Sequence, residues 1–277
     1  MAFLLVDRIT KVVPGRWAQG CFTIPGDLPD LSPCLVAEAV GQLAAWVAMA
    51  QAEFRSRPVA GVTGEVKING RAVPGTMLNL EVELESCDSD AVFYGGQARA
   101  AGLPIIELSR CMGPMLPMED FDDPEAVREQ FQLLCEAEVP RQGFSGTAAL
   151  DPHVVLIDHN PGKRLRAEMC VPGTAPFFAD HFPRKPVLPA TLLLDAQIQL
   201  AVKLAAEAID PSIGMLLRPT RICNVKLRSF VHPGQTLEIG VEVLAVSRAS
   251  AELALTAKGG GQRVSTARLE IGLWGTS

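Results

Sequence analysis

The chain repeats itself at long range. Val66-Lys67 and Pro74-Gly75 return 159 residues later as Val225-Lys226 and Pro233-Gly234, and Glu38 with Gln42 returns 157 residues later as Asp195 with Gln199. Such an internal duplication requires two copies of one structural unit, each with the same face to bury. In each copy the acid and glutamine lie in an apolar run, Cys34 to Glu53 in the first and Thr191 to Leu200 in the second. A helix that is apolar on nearly every side must lie inside the molecule. The acid and glutamine, four residues apart, share a face of it. The copies differ at one place. Pro14-Gly15 is answered by Pro161-Gly162 at an offset of only 147, so turn and acid are 24 residues apart in the first copy and 34 in the second. The longer interval contains Phe177-Phe178-Ala179-Asp180-His181-Phe182-Pro183, with Pro186 and Pro189 behind it. The first copy keeps its acid and lacks the histidine loop.

Around the two runs the pattern has period two. Phe3 to Val13 and Trp17 to Ile24 read as strands, as do Val62 to Ile68 and Leu78 to Leu84. Phe93 to Ala101 and Ile105 to Met112 would pair across Gly102-Leu103-Pro104. Strands, a buried helix and more antiparallel strands give an α+β class. The acidic, proline-bounded stretch Pro117 to Gln142, with a short surface helix over Pro124 to Cys135, is the expected linker. The expected domains are 1–116, 117–143 as linker, and 144–277.

A net charge of −6 and few clustered bases argue against nucleic acid as a partner. Seven scattered cysteines, an odd number with no Cys-x-x-Cys pair, indicate reduced thiols and a cytoplasmic setting. Most should be buried core residues, although Cys34 is placed where it could line a pocket. Cys34 to Ala50 is apolar enough to suggest a membrane span but contains Glu38 and Gln42, so a buried soluble helix is expected. His153, His159, His181 and His232 lie in separate segments, which leaves no metal ligand set. Lys258-Gly259-Gly260-Gly261-Gln262 leads into a strand and reads as a hairpin turn, not a phosphate cradle, so no nucleotide cofactor is expected.

The aromatic pair before His181-Phe182-Pro183, then Pro186-Val187-Leu188-Pro189, a small residue, and an acid and glutamine four apart, resembles the β-hydroxyacyl-acyl-carrier-protein dehydratases over residues 154 to 273. Two positions depart from that pattern, Asp180 where the family has a small residue and Ala190 where it has glycine. The resemblance implies a hotdog fold, here a double hotdog in which each antiparallel sheet wraps a central helix. It also implies an active site between two hotdogs, with the histidine of one facing the acid of the other. Carried over, His181 faces Glu38, while Asp195 faces the shortened loop and has no histidine.

Under that resemblance the chemistry is removal of a proton from the α-carbon of a thioester and loss of the β-hydroxyl as water. Imidazole suits the first task, and a carboxyl kept protonated by desolvation suits the second. The backbone N–H of Ala190, at the start of the second helix, would meet the charge growing on the thioester oxygen. Gln42 would hydrogen-bond Glu38, and Phe177, Phe178, Val187 and Pro189 would wall the substrate tunnel. Arg184 and Lys185 border the loop where the phosphate of a pantetheine arm would arrive. The expected partner is an acyl carrier protein or another acyl thioester, in fatty-acid or polyketide biosynthesis; a homo-oligomer is possible. Two other functions stay open: a catalytically retired subunit that serves structure or carrier-protein docking, and an acyl thioesterase, since one fold hosts several chemistries.

Overall fold

Both apolar runs are helices of nineteen residues, and the strands expected around them form one sheet. Along the chain come β1 (Arg8–Val13), β2 (Trp17–Thr23), α1 (Pro33–Gln51), β3 (Ser56–Pro58), β4 (Val62–Ile68), β5 (Met77–Cys87), β6 (Ala91–Ala100) and β7 (Leu103–Pro117). There follow α2 (Pro124–Cys135), β8 (His153–Asn160), β9 (Arg164–Cys170), α3 (Ala190–Ala208), β10 (Leu217–Leu227), β11 (Thr236–Val246), β12 (Ser250–Gly259) and β13 (Gln262–Leu273). The computed structural model describes residues 3–136, 144, 153–209 and 217–273. Residues 137–143 of the expected linker and 145–152 at the start of the second expected domain lie outside these.

The strand order is β1-β2-β5-β6-β7-β4-β10-β13-β12-β11-β9-β8, with β3 added on β7. Read inward from either edge, the two halves follow the same plan, and the first long strand after each buried helix stands at the seam. There β4 and β10 pair antiparallel. Val66 pairs with Ile222, and its repeat equivalent Val225 pairs with Thr63, the equivalent of Ile222, so the register is reciprocal. Joining the halves here removes an exposed strand edge from each. This is the α+β architecture expected from the sequence.

Local chemistry explains the elements. Ser32 caps α1, its hydroxyl accepting from the Leu35 N–H at 3.3 Å, and Pro33 stands at the first helical position, where its missing N–H costs nothing. The helix is long and apolar enough to cross a membrane by composition, yet Leu35, Val36, Val40, Leu43 and Val47 are buried in the core. Gly96 lets it approach the sheet: a Cβ there would come within 2.6 Å of Val40 and 2.7 Å of the Glu81 carbonyl. In β5 the alternation is clean, with Leu78, Leu80, Val82 and Leu84 buried. The glycine-rich turn is a hairpin: Gly259 pairs with Gln262 across Gly260 and Gly261, whose φ angles are 57° and 79°.

Two expectations need correction. The β6–β7 turn is Ala101-Gly102, both with positive φ, and Leu103 already pairs with Ala100. The first strand begins at Arg8, not Phe3. Phe3, Leu4, Leu5 and Val6 are buried; the Phe3 N–H bonds Asp180, the Phe3 carbonyl and Leu5 N–H bond Gln42, and Phe3 makes an isolated bridge to Phe144 in place of a ladder. The acidic stretch carries the short surface helix expected there, α2. Within it Met118, Phe121, Val127 and Leu134 are buried, and Phe131 packs between Trp46 and Phe54. Its charge count hid an apolar face at helical spacing.

Candidate active site

A cavity of about 460 Å³ is lined by residues of both halves. The histidine loop supplies His181, Phe182, Val187 and Leu188; α3 supplies Ala190 and Thr191; α1 supplies Cys34, Glu38, Gly41, Gln42 and Trp46. Tyr94 and Met112 of the first-half sheet and Phe230 of the second also line it. Asp195, near His181 in sequence, does not. It is hydrogen-bonded to Ser32 and to Gln199, 3.0 Å away.

The loop is held from several directions. A short 3-10 turn over Pro176–Ala179 delivers the His181 N–H to the Phe177 carbonyl at 2.8 Å, and the Val187 N–H returns to the His181 carbonyl at 3.2 Å. The imidazole stacks on Phe182 with ring centroids 4.2 Å apart and meets Phe3 edge-on at 5.7 Å. His181 Nδ1 lies 3.4 Å from the Val187 carbonyl. A carbonyl only accepts, so this contact is a hydrogen bond only with the proton on Nδ1, which leaves the lone pair on Nε2. Burial, and then the charge of Arg57, lowers the pKa of His181 from 6.5 to about 4. At neutral pH the ring is an uncharged acceptor.

Glu38 is held across the halves. One carboxyl oxygen accepts from Gln42 Nε2 and the other from Thr191 Oγ1, each at 2.9 Å. Gln42 also donates to the Phe3 carbonyl at 3.0 Å, and the Phe3 N–H donates to Asp180, beside His181, at 3.0 Å. Glu38 and Asp180, the residue before His181, are thus tied into one hydrogen-bonded path through the amino-terminal segment. Asp180, the departure from the family pattern, is one of its links. Burial raises the Glu38 pKa, opposed by the Gln42 and Thr191 hydrogen bonds. When the carboxyl is protonated the threonine hydroxyl can turn and accept instead.

Ala190 is the first residue of α3, so its N–H has no acceptor within the helix and points out at the positive end of the dipole. Cys34 does line the cavity, with its thiol pKa raised by burial. Phe177, Phe178 and Pro189 are not among the lining residues. Phe177 packs on Phe178 and Phe3 under the loop, and the loop's aromatic contribution to the cavity wall is Phe182. Helical phase in the 3-10 turn, invisible in the sequence, turns the pair inward.

Sequence reasoning also missed Thr191, Tyr94 and Arg57. Thr191 follows Ala190 directly and could have been found there; Arg57 and Tyr94 come from the first copy, where no motif marks them. Arg184 has partners within the chain. It donates to the Glu119 carbonyl at 3.1 Å and pairs with Asp123 at 3.3 Å, while its N–H reaches the Phe121 carbonyl at 2.9 Å. Phe121 in turn stands edge-on to Phe182 at 5.0 Å. The stretch expected to be a linker therefore braces the histidine loop. Among the described residues no group of three or more His, Cys, Asp or Glu side chains could hold a metal.

A second cavity of about 150 Å³ lies beside Ser32. Its lining residues Leu31, Val36, Ile68, Arg71 and Ala72 stand, by the repeat offsets, where the large cavity has Leu188, Leu193, Leu227, Phe230 and Val231. The small cavity is the pseudosymmetric counterpart of the large one. Where the large site has Val187 and Phe230, this one has Asp30 and Arg71, joined by an ion pair.

Comparison with known proteins falls mainly on the second half. The FabA-like domain family matches residues 151–268. A 3-hydroxyacyl-[acyl-carrier-protein] dehydratase FabZ of Anaeromyxobacter sp. (strain Fw109-5) is 37% identical over 100 residues, 34% of this chain and 63% of that protein. The FabZ of Shewanella sp. (strain MR-4) is 32% identical over 118 residues, 41% of this chain and 76% of that protein. Among solved structures, the tesB protein MAP1729c of Mycobacterium avium subs paratuberculosis has a TM-score of 0.62 at 12% identity, covering 98% of this chain and 97% of that one. A MaoC-like dehydratase has a TM-score of 0.54 at 14% identity, covering 94% and 98%. At such identities these two carry the fold alone.

Proposed function

The chain belongs to the FabA-like family, and from that premise we propose that it dehydrates a 3-hydroxyacyl thioester, carried on a phosphopantetheine arm, to the 2-enoyl thioester. The double hotdog has one working site, between its halves. The observation that carries this is the pairing of an uncharged imidazole and a carboxyl with a raised pKa in one cavity, the first from the second half and the second from the first.

His181 Nε2 takes the proton from the α-carbon. The electron pair moves toward the thioester carbonyl, whose oxygen meets the Ala190 N–H at the head of α3. The pair then returns to form the α–β double bond, and the β-hydroxyl leaves with the Glu38 proton as water. Glu38 collects the proton from His181 over the turnover cycle, directly or through water. Thr191 and Gln42 hold the carboxyl toward the cavity in both protonation states. The substrate brings the acyl group; no step needs a cofactor. A thioesterase reading has less support: neutral His181 could serve either chemistry, but the relatives matched in sequence are dehydratases.

The test is incubation with 3-hydroxyacyl pantetheine and carrier-protein thioesters, with the product followed by mass. Loss of water with the thioester intact is expected. Release of a free acid would make the chain a thioesterase, and no change with either substrate would leave it a retired subunit.

A further inference from the structure

Arg57 enters the large cavity from β3, outside the residues that the family match covers. Its guanidinium lies over the Phe182 ring, 4.0 Å from the centroid, and 5.9 Å from that of Phe121. The residue is half-buried, but its Nε is enclosed, and among the described residues that atom has no hydrogen-bond partner and no carboxylate forms an ion pair with the guanidinium. Asp122 acts on its charge only from a distance, and burial brings its pKa down to about 10. It is still a cation at neutral pH.

Stacking on aromatic rings recovers part of what a guanidinium loses on leaving water, but it satisfies none of the five N–H donors. Buried charges in folded proteins are paired, because an unpaired one is costly. Arg184, only a few residues from Phe182, shows the ordinary solution, with Asp123 and a carbonyl as partners. Arg57 lacks that solution and faces a cavity that a substrate fills.

We propose that Arg57 is the counter-ion for an anionic group of the substrate, a carboxylate or phosphate, bound inside the cavity beside the His181–Phe182 stack. This rests on the thioester reading of the cavity. The fork geometry of arginine suits two-point recognition of either oxyanion. Two sources carry such a group: the acyl chain, if it ends in a carboxylate, or the phosphate of the carrier arm. Binding also changes the base. Arg57 is one of the two causes that hold the imidazole pKa down, so an anion that neutralises it makes His181 a stronger base as the substrate arrives.

Three thioesters of one 3-hydroxyacyl chain length test this: the pantetheine form, the 4′-phosphopantetheine form, and a pantetheine form whose acyl chain ends in a carboxylate. Affinity by calorimetry, on the unreactive amide analogue of each, and kcat/KM on the thioesters are measured with wild type, Arg57→Met and Arg57→Lys. Wild type should favour one anionic form over the neutral form by about tenfold to a hundredfold, the range for a hydrogen-bonded charge. The form that is favoured identifies the source. Arg57→Met should bring that ratio close to one, and Arg57→Lys should restore part of it. Equal affinity of wild type for all three forms overturns the proposal whatever the variants do, as does a preference that survives in folded Arg57→Met. Because affinity is read without turnover, anion preference without dehydration would count against the dehydratase reading and leave this one standing.

Discussion

His181 illustrates how one side chain couples stability to chemistry. Its pKa is about 4 in the folded chain against an ordinary 6.5, so between those values the unfolded chain binds a proton that the folded chain does not. Stability from this group is present above about pH 6.5 and falls as the pH drops toward about 4, by roughly 3 kcal/mol at the limit. Glu38 and Asp195, whose pKa values are raised by burial, act in the opposite sense and lose stability as the pH rises through their ranges. Comparison with His181→Gln separates the terms: wild type should lose melting temperature relative to the variant over that window, and a constant gap would show that the imidazole is not held neutral. In catalysis, His181→Ala and Glu38→Gln should each lower kcat about 10²-fold or more while circular dichroism shows a folded chain. Asp195→Asn, outside the cavity, should stay within a few-fold; a loss equal to that of His181→Ala would mean that the halves are paired the other way.

At the scale of elements, the short path from Met118 to Asp123 matters more than its composition suggests. Phe121 is fully buried and touches Phe182 and Phe230, and the Arg184 N–H bonds its carbonyl. Truncation of a buried phenylalanine costs about 3 to 5 kcal/mol. Phe121→Ala should therefore lower the unfolding free energy by that order and also loosen the ring on which His181 stacks. Denaturant unfolding reads the first effect. The second should lower kcat on any substrate, and full activity in a destabilised variant would show that the brace is not needed.

For the whole molecule, fusion of two copies allows the two sites to diverge. The second cavity is about a third as large, at 150 against 460 Å³, and Asp30 with Arg71 closes its apolar wall. One substrate analogue per chain is expected, where a symmetric pair of hotdogs would bind two. Native mass spectrometry with a non-hydrolysable 3-hydroxyacyl pantetheine amide measures this, and two equivalents at equal affinity would contradict it.

The duplication, the two buried helices, the β5 alternation and the histidine loop were legible in the sequence, because each depends on spacing along a local stretch. The ten-residue difference between Pro14 and Glu38 against Pro161 and Asp195 already marked which copy had lost its loop. Other features depend on residues far apart in the chain. The bond from Thr191 to Glu38 joins positions 153 apart, and Asp180 meets Phe3 across 177. Arg57 and Tyr94 acquire a place in the cavity only when the sheet brings their strands beside α1, and no local pattern records that. Phe177 and Phe178 show the same limit in reverse: their hydrophobicity predicted burial correctly, but whether a buried ring faces substrate or core is decided by the path of the backbone, which packing of both halves determines.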